Sequence, residues 1–306
     1  MTRALASIEG ACEVSWVRGP GAGPDAPPDL FIEIAHGAVR AAEFEAAAAR
    51  LSPGLPADLR DFFFVNTDAG APEYARAAAE AFVAAPGPPR SVLLVRSLIP
   101  RTFLDCNRIL DPSTGSGLTA AFPDYITGEA DRRTLLGFYE PYQKTVSAGV
   151  SAACGGGGLA LMLHTYAPRA IAVDRVDEGI GAALRRAYAP ERYERWERRP
   201  DADLITSDPT GKRLASEPVA SALRRRFAEI GITATENVSY PLHPETTAWR
   251  HASAWPGRTL CLEVNRELLA DPFTPFTEMR ISAEKARRIG EAVAAACLDG
   301  WPRGGA

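Results

Sequence analysis

Four histidines are the whole imidazole complement of this 306-residue chain, and their placement is uneven. His36 follows the apolar run LFIEI, with one alanine between, and His164 directly follows the run LALML. His243 and His251 stand together in a polar stretch further on. Two imidazoles plus a carboxylate, with one position left open, form the donor set of hydrolytic zinc sites. Such an ion lowers the pKa of its water toward neutrality and polarises a carbonyl. The water still needs a base, and the developing oxyanion a positive partner. Glu263 is acidic within the otherwise apolar TLCLEV, where burial is costly without a role or a partner. Arg108, beside Asn107 in LDCNR, offers a planar fork suited to a carboxylate or an oxyanion. Each of these residues also has a plain structural reading. His36 would be a satisfied histidine at a strand end, Glu263 would pair with Arg266 or Arg108, and Arg108 would bridge to Asp105.

These side chains need elements to hold them. Short apolar runs bounded by turn formers read as buried strands at 12–17, 30–34, 91–96, 159–163, 202–206, 232–236 and 259–264. Helical patterns occupy 38–51, part of 55–65, 72–84, 128–153, 215–231 and 282–297. Thr67 or Asp68 is placed to cap the helix at 72–84. Residues 1–28 read as a strand and a Pro/Gly loop, 175–200 as a charged surface excursion, and 240–255 as irregular and polar. Strands alternate with helices without a repeat or a boundary. The expected architecture is therefore one α/β domain over 1–306, in three layers, with a mostly parallel or mixed central sheet and helices on both faces. In such sheets ligands bind at the carboxyl ends of the strands, where His36 is placed.

Composition excludes some classes. A hydrophobic fraction of 46% and a charged fraction of 24% are ordinary for a globular chain. A net charge of −4 argues against nucleic acid as the partner, and basic runs such as 224–226 read as a solvated helix face. The five cysteines (Cys12, Cys106, Cys154, Cys261 and Cys297) are scattered, with no CxxC pair. That pattern fits a reduced, cytoplasmic protein. No signal-like apolar run opens the chain, and no stretch approaches the ~20 apolar residues of a membrane span. The wealth of Ala, Arg, Gly and Pro is that of a GC-rich bacterial genome.

The order His, Asn-Arg, His, Glu along the chain is that of the ligands and catalytic groups in the zinc carboxypeptidase-like fold. The chain more specifically resembles the N-formylglutamate amidohydrolase family. The blocks that carry the likeness are His36–Gly37, Thr67–Asp68, Leu104 to Arg108, Tyr139 to Tyr142, His164–Thr165 and Leu262 to Arg266, the last running on to Asp271. Together they span roughly residues 29–297. The resemblance implies one Zn²⁺ per chain held by His36 and His164. Carboxypeptidases place a third ligand, a glutamate, three residues after the first histidine, where this chain has Val39. Asp68 is the preferred third ligand, ahead of Glu33 and Glu43. Glu263 would be the general base, Arg108 would polarise the carbonyl, and Asn107, Arg108 and Arg250 would bind the substrate carboxylate. The implied reaction is cleavage of the amide of a small N-acyl, N-formyl-like amino acid or a related carboxylate-bearing conjugate. The chain departs from the family pattern at Gln143, at Met162 and at 243–247, all substrate-facing positions, so the reaction class is better supported than the substrate.

Two other readings compete. A cysteine-dependent amidase would use Cys154, before four glycines and with His164 near in space, or Cys106 beside Asn107. A non-catalytic ligand-binding protein on the same fold would keep the pocket without turnover.

Overall fold

A computed structural model describes residues 5–110, 118–173 and 175–301. The expected opening strand and loop, 1–28, and the expected domain, 1–306, thus each include residues outside the described ones. Among the described residues, seven strands form one sheet: β1 (Cys12–Arg18), β2 (Leu30–Ile34), β3 (Ser91–Ser97), β4 (Leu159–Tyr166), β5 (Ala202–Ile205), β6 (Ala234–Glu236) and β7 (Thr259–Asn265). Their order is β1-β3-β2-β4-β7-β5-β6. The central four, β3, β2, β4 and β7, run parallel, while β1 and β5 pair antiparallel to their neighbours β3 and β7. Every residue of β2 and β4 is buried, which is why both read as continuous apolar runs.

The helices are α1 (Ala41–Ala48), α2 (Leu59–Asn66), α3 (Ala71–Ala84), α4 (Glu129–Gly155), α5 (Ile180–Ala187), α6 (Pro190–Tyr193), α7 (Glu217–Glu229), α8 (Thr247–Ala254) and α9 (Ala283–Asp299). They cover both faces of the sheet, so the expected mixed α/β architecture holds. Alternation along β2 divides the core. Leu30, Ile32 and Ile34 point to a cluster with Tyr74 and Phe82 of α3, Phe227 of α7 and Ile289 of α9. Phe31 points the other way, to Val146 and Val150 of α4 and to Phe62 of α2. Each such side chain removed from water contributes about 1.5–3 kcal/mol, which holds the helices on a sheet of fixed register.

Three local expectations are corrected. β4 extends to Tyr166, so His164 lies within the strand and not past its end. The stretch 240–255 is not irregular throughout: α8 occupies 247–254, with the Thr246 side chain accepting from the amide of Trp249 as its cap. The charged run 175–200 carries α5 and α6, and Ile180 and Leu184 of α5 are buried in the core. α5 is amphipathic at helical spacing, but its arginine-rich outer face masks the pattern.

Gly149 sets how closely α4 approaches the sheet. A Cβ there would collide with the ring of Phe31, with Cδ2 only 2.6 Å away. Gly149→Val should therefore destabilise the fold by about 1–3 kcal/mol through overpacking, read as a lower urea midpoint. An unchanged midpoint would contradict this contact.

Candidate functional site

The parallel core of the sheet places the carboxyl ends of β2, β3, β4 and β7 on one edge, and the chemistry-bearing residues gather there. His36 stands just beyond β2, Asp105 in the segment after β3, His164 in the last turn of the pleat of β4, and Glu263 opposite it on β7. The register pairs His164 with Glu263 directly. Behind His36 the chain passes so close to Arg96 that a Cβ at Gly37 would collide with that side chain. Arg96 donates to the Gly37 carbonyl at 2.9 Å and fixes the loop.

Asp68 joins the two histidines. Its Oδ2 lies 3.2 Å from His36 Nδ1 and 2.9 Å from His164 Nδ1. All three residues are buried, and their donor atoms lie within 4.8 Å of one another. Asp68 is thus no helix cap: Gly70 is the cap residue of α3, which has no side-chain cap bond. Backbone bonds hold the loop in place, with the Asp68 amide donating to the His36 carbonyl at 3.4 Å and Thr67 Oγ1 donating to the Ala38 carbonyl at 2.5 Å. Tyr74 donates its hydroxyl to the His164 carbonyl at 3.1 Å. Val39 is buried outside this cluster. Glu33 accepts from Tyr142 at 2.7 Å, and Glu43 is taken by Arg96 at 2.6 Å, so neither joins it.

Sequence reasoning gave Asp105 no role at the centre beyond a partner for Arg108. Its Oδ1 sits 2.8 Å from His36 Nε2 and also accepts from the Asn107 amide at 2.9 Å. Its Oδ2 is held by Arg101 Nε at 3.1 Å, with Arg108 more distant at 3.9 Å. A carboxylate on the far nitrogen fixes the tautomer that leaves Nδ1 free to act as a ligand. LDCNR held this signal as an acidic residue two before Asn107, but its partner is 69 residues away.

Burial disfavours the charged forms here, yet the carboxylates that contact histidine stay ionised. Asp68 is held well below the usual range because His36 and His164 outweigh its desolvation. Asp105 is depressed likewise, by Arg101 and Arg108 against burial. The pKa of His164 is raised despite burial, chiefly by its hydrogen bond to Asp68. Glu263 moves the opposite way: burial raises its pKa, offset in part by His164 and Arg199. Its Oε2 is buried with no hydrogen-bond partner, and among the described residues Glu263 enters no ion pair. An orphaned carboxylate oxygen next to two imidazoles and an acid is unfavourable unless something else completes the site. The donors present, two Nδ1 atoms and one carboxylate oxygen, fit a tetrahedral zinc ion with one position open.

A cleft of about 280 Å³ opens over this centre. His36, His164, Glu263, Asn107 and Arg108 line it, so five of the seven expected site residues share one cavity, with Asp68 beneath them. Asn107 Oδ1 accepts from Thr247 Oγ1 at 3.1 Å and from the Ala248 amide at 3.2 Å, anchoring α8 to the cleft wall. Arg108 donates to the carbonyls of Thr119 and Asn107, both at 3.2 Å. Arg250 is the exception: it is exposed on α8 and absent from the lining, because helical periodicity turns it away from the wall that Ala248 forms. Of the other histidines, His243 lines the cleft and His251 is buried in α8.

The cysteine readings fail on geometry. Cys154 precedes β4, and the five steps from Leu159 to His164 span about 16 Å of strand. Burial also pushes the Cys154 thiol up to about 11. Cys106 is raised as well, by burial, and lies against Ser97. Neither cysteine lines the cleft.

No protein-family model matches this sequence, and no curated protein is similar to it. Solved structures are. N-formylglutamate amidohydrolase from Ralstonia eutropha superposes with a TM-score of 0.56 over 94% of this chain and 97% of that one, at 17% identity. The chain has the N-formylglutamate amidohydrolase fold. A gene product from Agrobacterium tumefaciens superposes with a TM-score of 0.53 at 16% identity, over 95% of this chain and 94% of that one. The resemblance of the sequence blocks and the likeness of the folds thus agree on the same architecture. Among the described residues, no helix is long and apolar enough to cross a membrane.

Two outcomes follow from this geometry. Asp105→Asn, which loosens the His36 tautomer, should weaken zinc binding by roughly 10–100-fold in a chelator competition; unchanged affinity would remove Asp105 from the centre. Iodoacetamide at pH 7 should leave ligand binding and any activity intact, since burial holds the thiols of Cys154 and of the cleft-lining Cys261 in their unreactive protonated form.

Proposed function

We propose that this chain is a zinc-dependent amidohydrolase that cleaves the amide of a small N-acylated amino acid or a related carboxylate-bearing conjugate, with one Zn²⁺ per chain. One observation carries the reading: the His36–Asp68–His164 donor set lies buried beneath a cleft, with the unpartnered carboxylate of Glu263 directly across the ladder from His164. The amidohydrolase named among the fold neighbours points to the same chemistry.

His36 Nδ1, Asp68 Oδ2 and His164 Nδ1 would hold the ion. Zinc bound there supplies Lewis acidity, which polarises an amide carbonyl and acidifies water. Glu263 does the proton work. Its raised pKa brings a buried carboxylate closer to neutrality, the range in which one group can accept a proton and return it. It takes the proton of the attacking water and later delivers it to the nitrogen of the departing amine, so the carboxylate is regenerated each cycle. Arg108 faces the cleft and supplies positive charge to the carbonyl oxygen as it becomes an oxyanion. The side-chain Nδ2 of Asn107 has no protein acceptor among the described residues and is free to donate to the substrate.

Charge in the cleft favours an anionic ligand. Its described lining holds five arginines (Arg101, Arg108, Arg169, Arg199 and Arg266) against one carboxylate, Glu263. Asp105, Glu194 and Asp68 offset part of this charge from just outside the lining, and the positive excess that remains would concentrate carboxylates at the site.

Glu263→Gln should retain about one zinc per chain while kcat falls by about 10²–10⁴-fold, measured as amine release from a panel of N-acyl amino acids. Full activity in this variant would sink the proposed base. Zinc-loaded parent protein that hydrolyses no member of the panel would favour the ligand-binding role instead.

A further inference from the structure

The five arginines of the cleft are not equivalent. Arg101 is held by Asp105, and Arg108 lies near the same carboxylate. Arg169 pairs with Glu194 and also donates to the carbonyl of Trp196 at 2.8 Å. Arg266 is buried, donating to the carbonyls of Val65 at 2.6 Å and Thr165 at 3.3 Å, with Asp68 4.0 Å away. Arg199 differs. Among the described residues no carboxylate lies within ion-pair distance of it, Glu263 acting on it only from further off, and its one side-chain hydrogen bond runs from Nη2 to the Tyr240 hydroxyl at 2.6 Å.

Arg199 is nevertheless held in place. Its guanidinium carbon lies 5.1 Å from the ring centre of Tyr166 and 5.2 Å from that of Tyr240, so two aromatic faces contact one cation. Tyr166 is fixed in turn, as part of β4 and by donating to the Pro200 carbonyl at 2.7 Å. The Arg199 amide donates to the Pro168 carbonyl at 2.9 Å, and Arg169 and Arg198 form a bridge beside it. The fork is therefore positioned in advance, with most of its donors unused. Little side-chain entropy remains to be lost when a planar anion binds.

Part of the lining is apolar. Phe62, Val65, Ile171, Val173, Leu184 and Tyr188 form it, supplied by α2, by α5 and by the segments flanking α5. The described lining holds no arginine or lysine beyond the five arginines, so no further cation stands ready for a second carboxylate, such as that of a glutamate side chain.

We infer that Arg199 is the carboxylate-recognising residue of the cleft, and that the apolar part of the lining selects a ligand carrying an aryl or branched aliphatic group in place of a second acid. That the ligand is an N-acyl amino acid rests on the proposed hydrolase reading; the subsite itself concerns binding alone. The ligand class is then an N-acyl amino acid with one carboxylate and one bulky apolar group.

A binding experiment on the full chain separates the two parts. The probes are 4-phenylbutyrate, its primary amide 4-phenylbutyramide, and butyrate, titrated calorimetrically, with melting curves confirming that each variant is folded. The parent should bind 4-phenylbutyrate about tenfold or more tighter than the amide, and about tenfold or more tighter than butyrate. Arg199→Met should abolish the preference for acid over amide while keeping the preference for the phenyl group. Arg199→Lys should restore part of the former, since a point charge returns without the fork. Ile171→Asn should reduce the phenyl preference alone. Acid-over-amide preference surviving in Arg199→Met would overturn the assignment of Arg199. Equal binding of butyrate and 4-phenylbutyrate by the parent would overturn the apolar selection. The predicted pattern in a protein that hydrolyses no N-acyl amino acid supports the subsite and removes only the hydrolase reading.

Discussion

A single carboxylate oxygen, Asp68 Oδ2, is shared by the Nδ1 atoms of two buried imidazoles. Everything around this point serves to keep that arrangement in a low-dielectric interior, where an unpaired charge costs several kcal/mol. Asp105 holds the far side of His36, Arg266 brings positive charge to within 4.0 Å of Asp68 Oδ1, and Tyr74 ties the His164 backbone to α3. Three acceptors and donors drawn from distant parts of the chain thus converge on one spot. Two neutral or cationic imidazoles can share a carboxylate, but the same geometry is also that of three ligands waiting for one cation.

The sheet supplies the precision. Parallel pairing of β2, β4 and β7 puts His36, His164 and Glu263 on one edge, and the ladder opposes His164 to Glu263 without any loop intervening. A slip of one residue in β7 would turn Glu263 to the other face and bring an apolar neighbour to the centre. Burial of β2 and β4 on both faces is what makes such a slip expensive, so core packing and catalytic geometry are secured by the same contacts.

How much of this was legible depended on range. Strands written as unbroken apolar runs were visible, as were the histidines that follow them and the oddity of Glu263 within TLCLEV. Asp68 is singled out as an acidic residue in a loop that matches a family block, although locally it also looks like a cap; the backbone at Gly70 removes that ambiguity. Asp105 went unassigned at the centre since its contact to His36 is set by tertiary packing alone. Arg250 is indicated only by its likeness to a basic position in the family's loop before the last strand, yet helix α8 directs it to solvent. Arg199 was hidden in the opposite way, as one of many charges in a run that read as surface. Only the return of the chain past α6, where the Arg199 amide bonds to the Pro168 carbonyl, brings it between Tyr166 and Tyr240.

The central claim is that His36, Asp68 and His164 are a metal centre and not a self-contained hydrogen-bonded triad. Anomalous diffraction from crystals of the purified protein, recorded on both sides of the zinc absorption edge, addresses this directly. The account predicts one strong peak per chain, present above the edge and absent below it, contacted by His36 Nδ1, Asp68 Oδ2 and His164 Nδ1. No peak at that position in crystals grown with zinc, or a peak bound by other residues while the two imidazoles remain on Asp68, would contradict it.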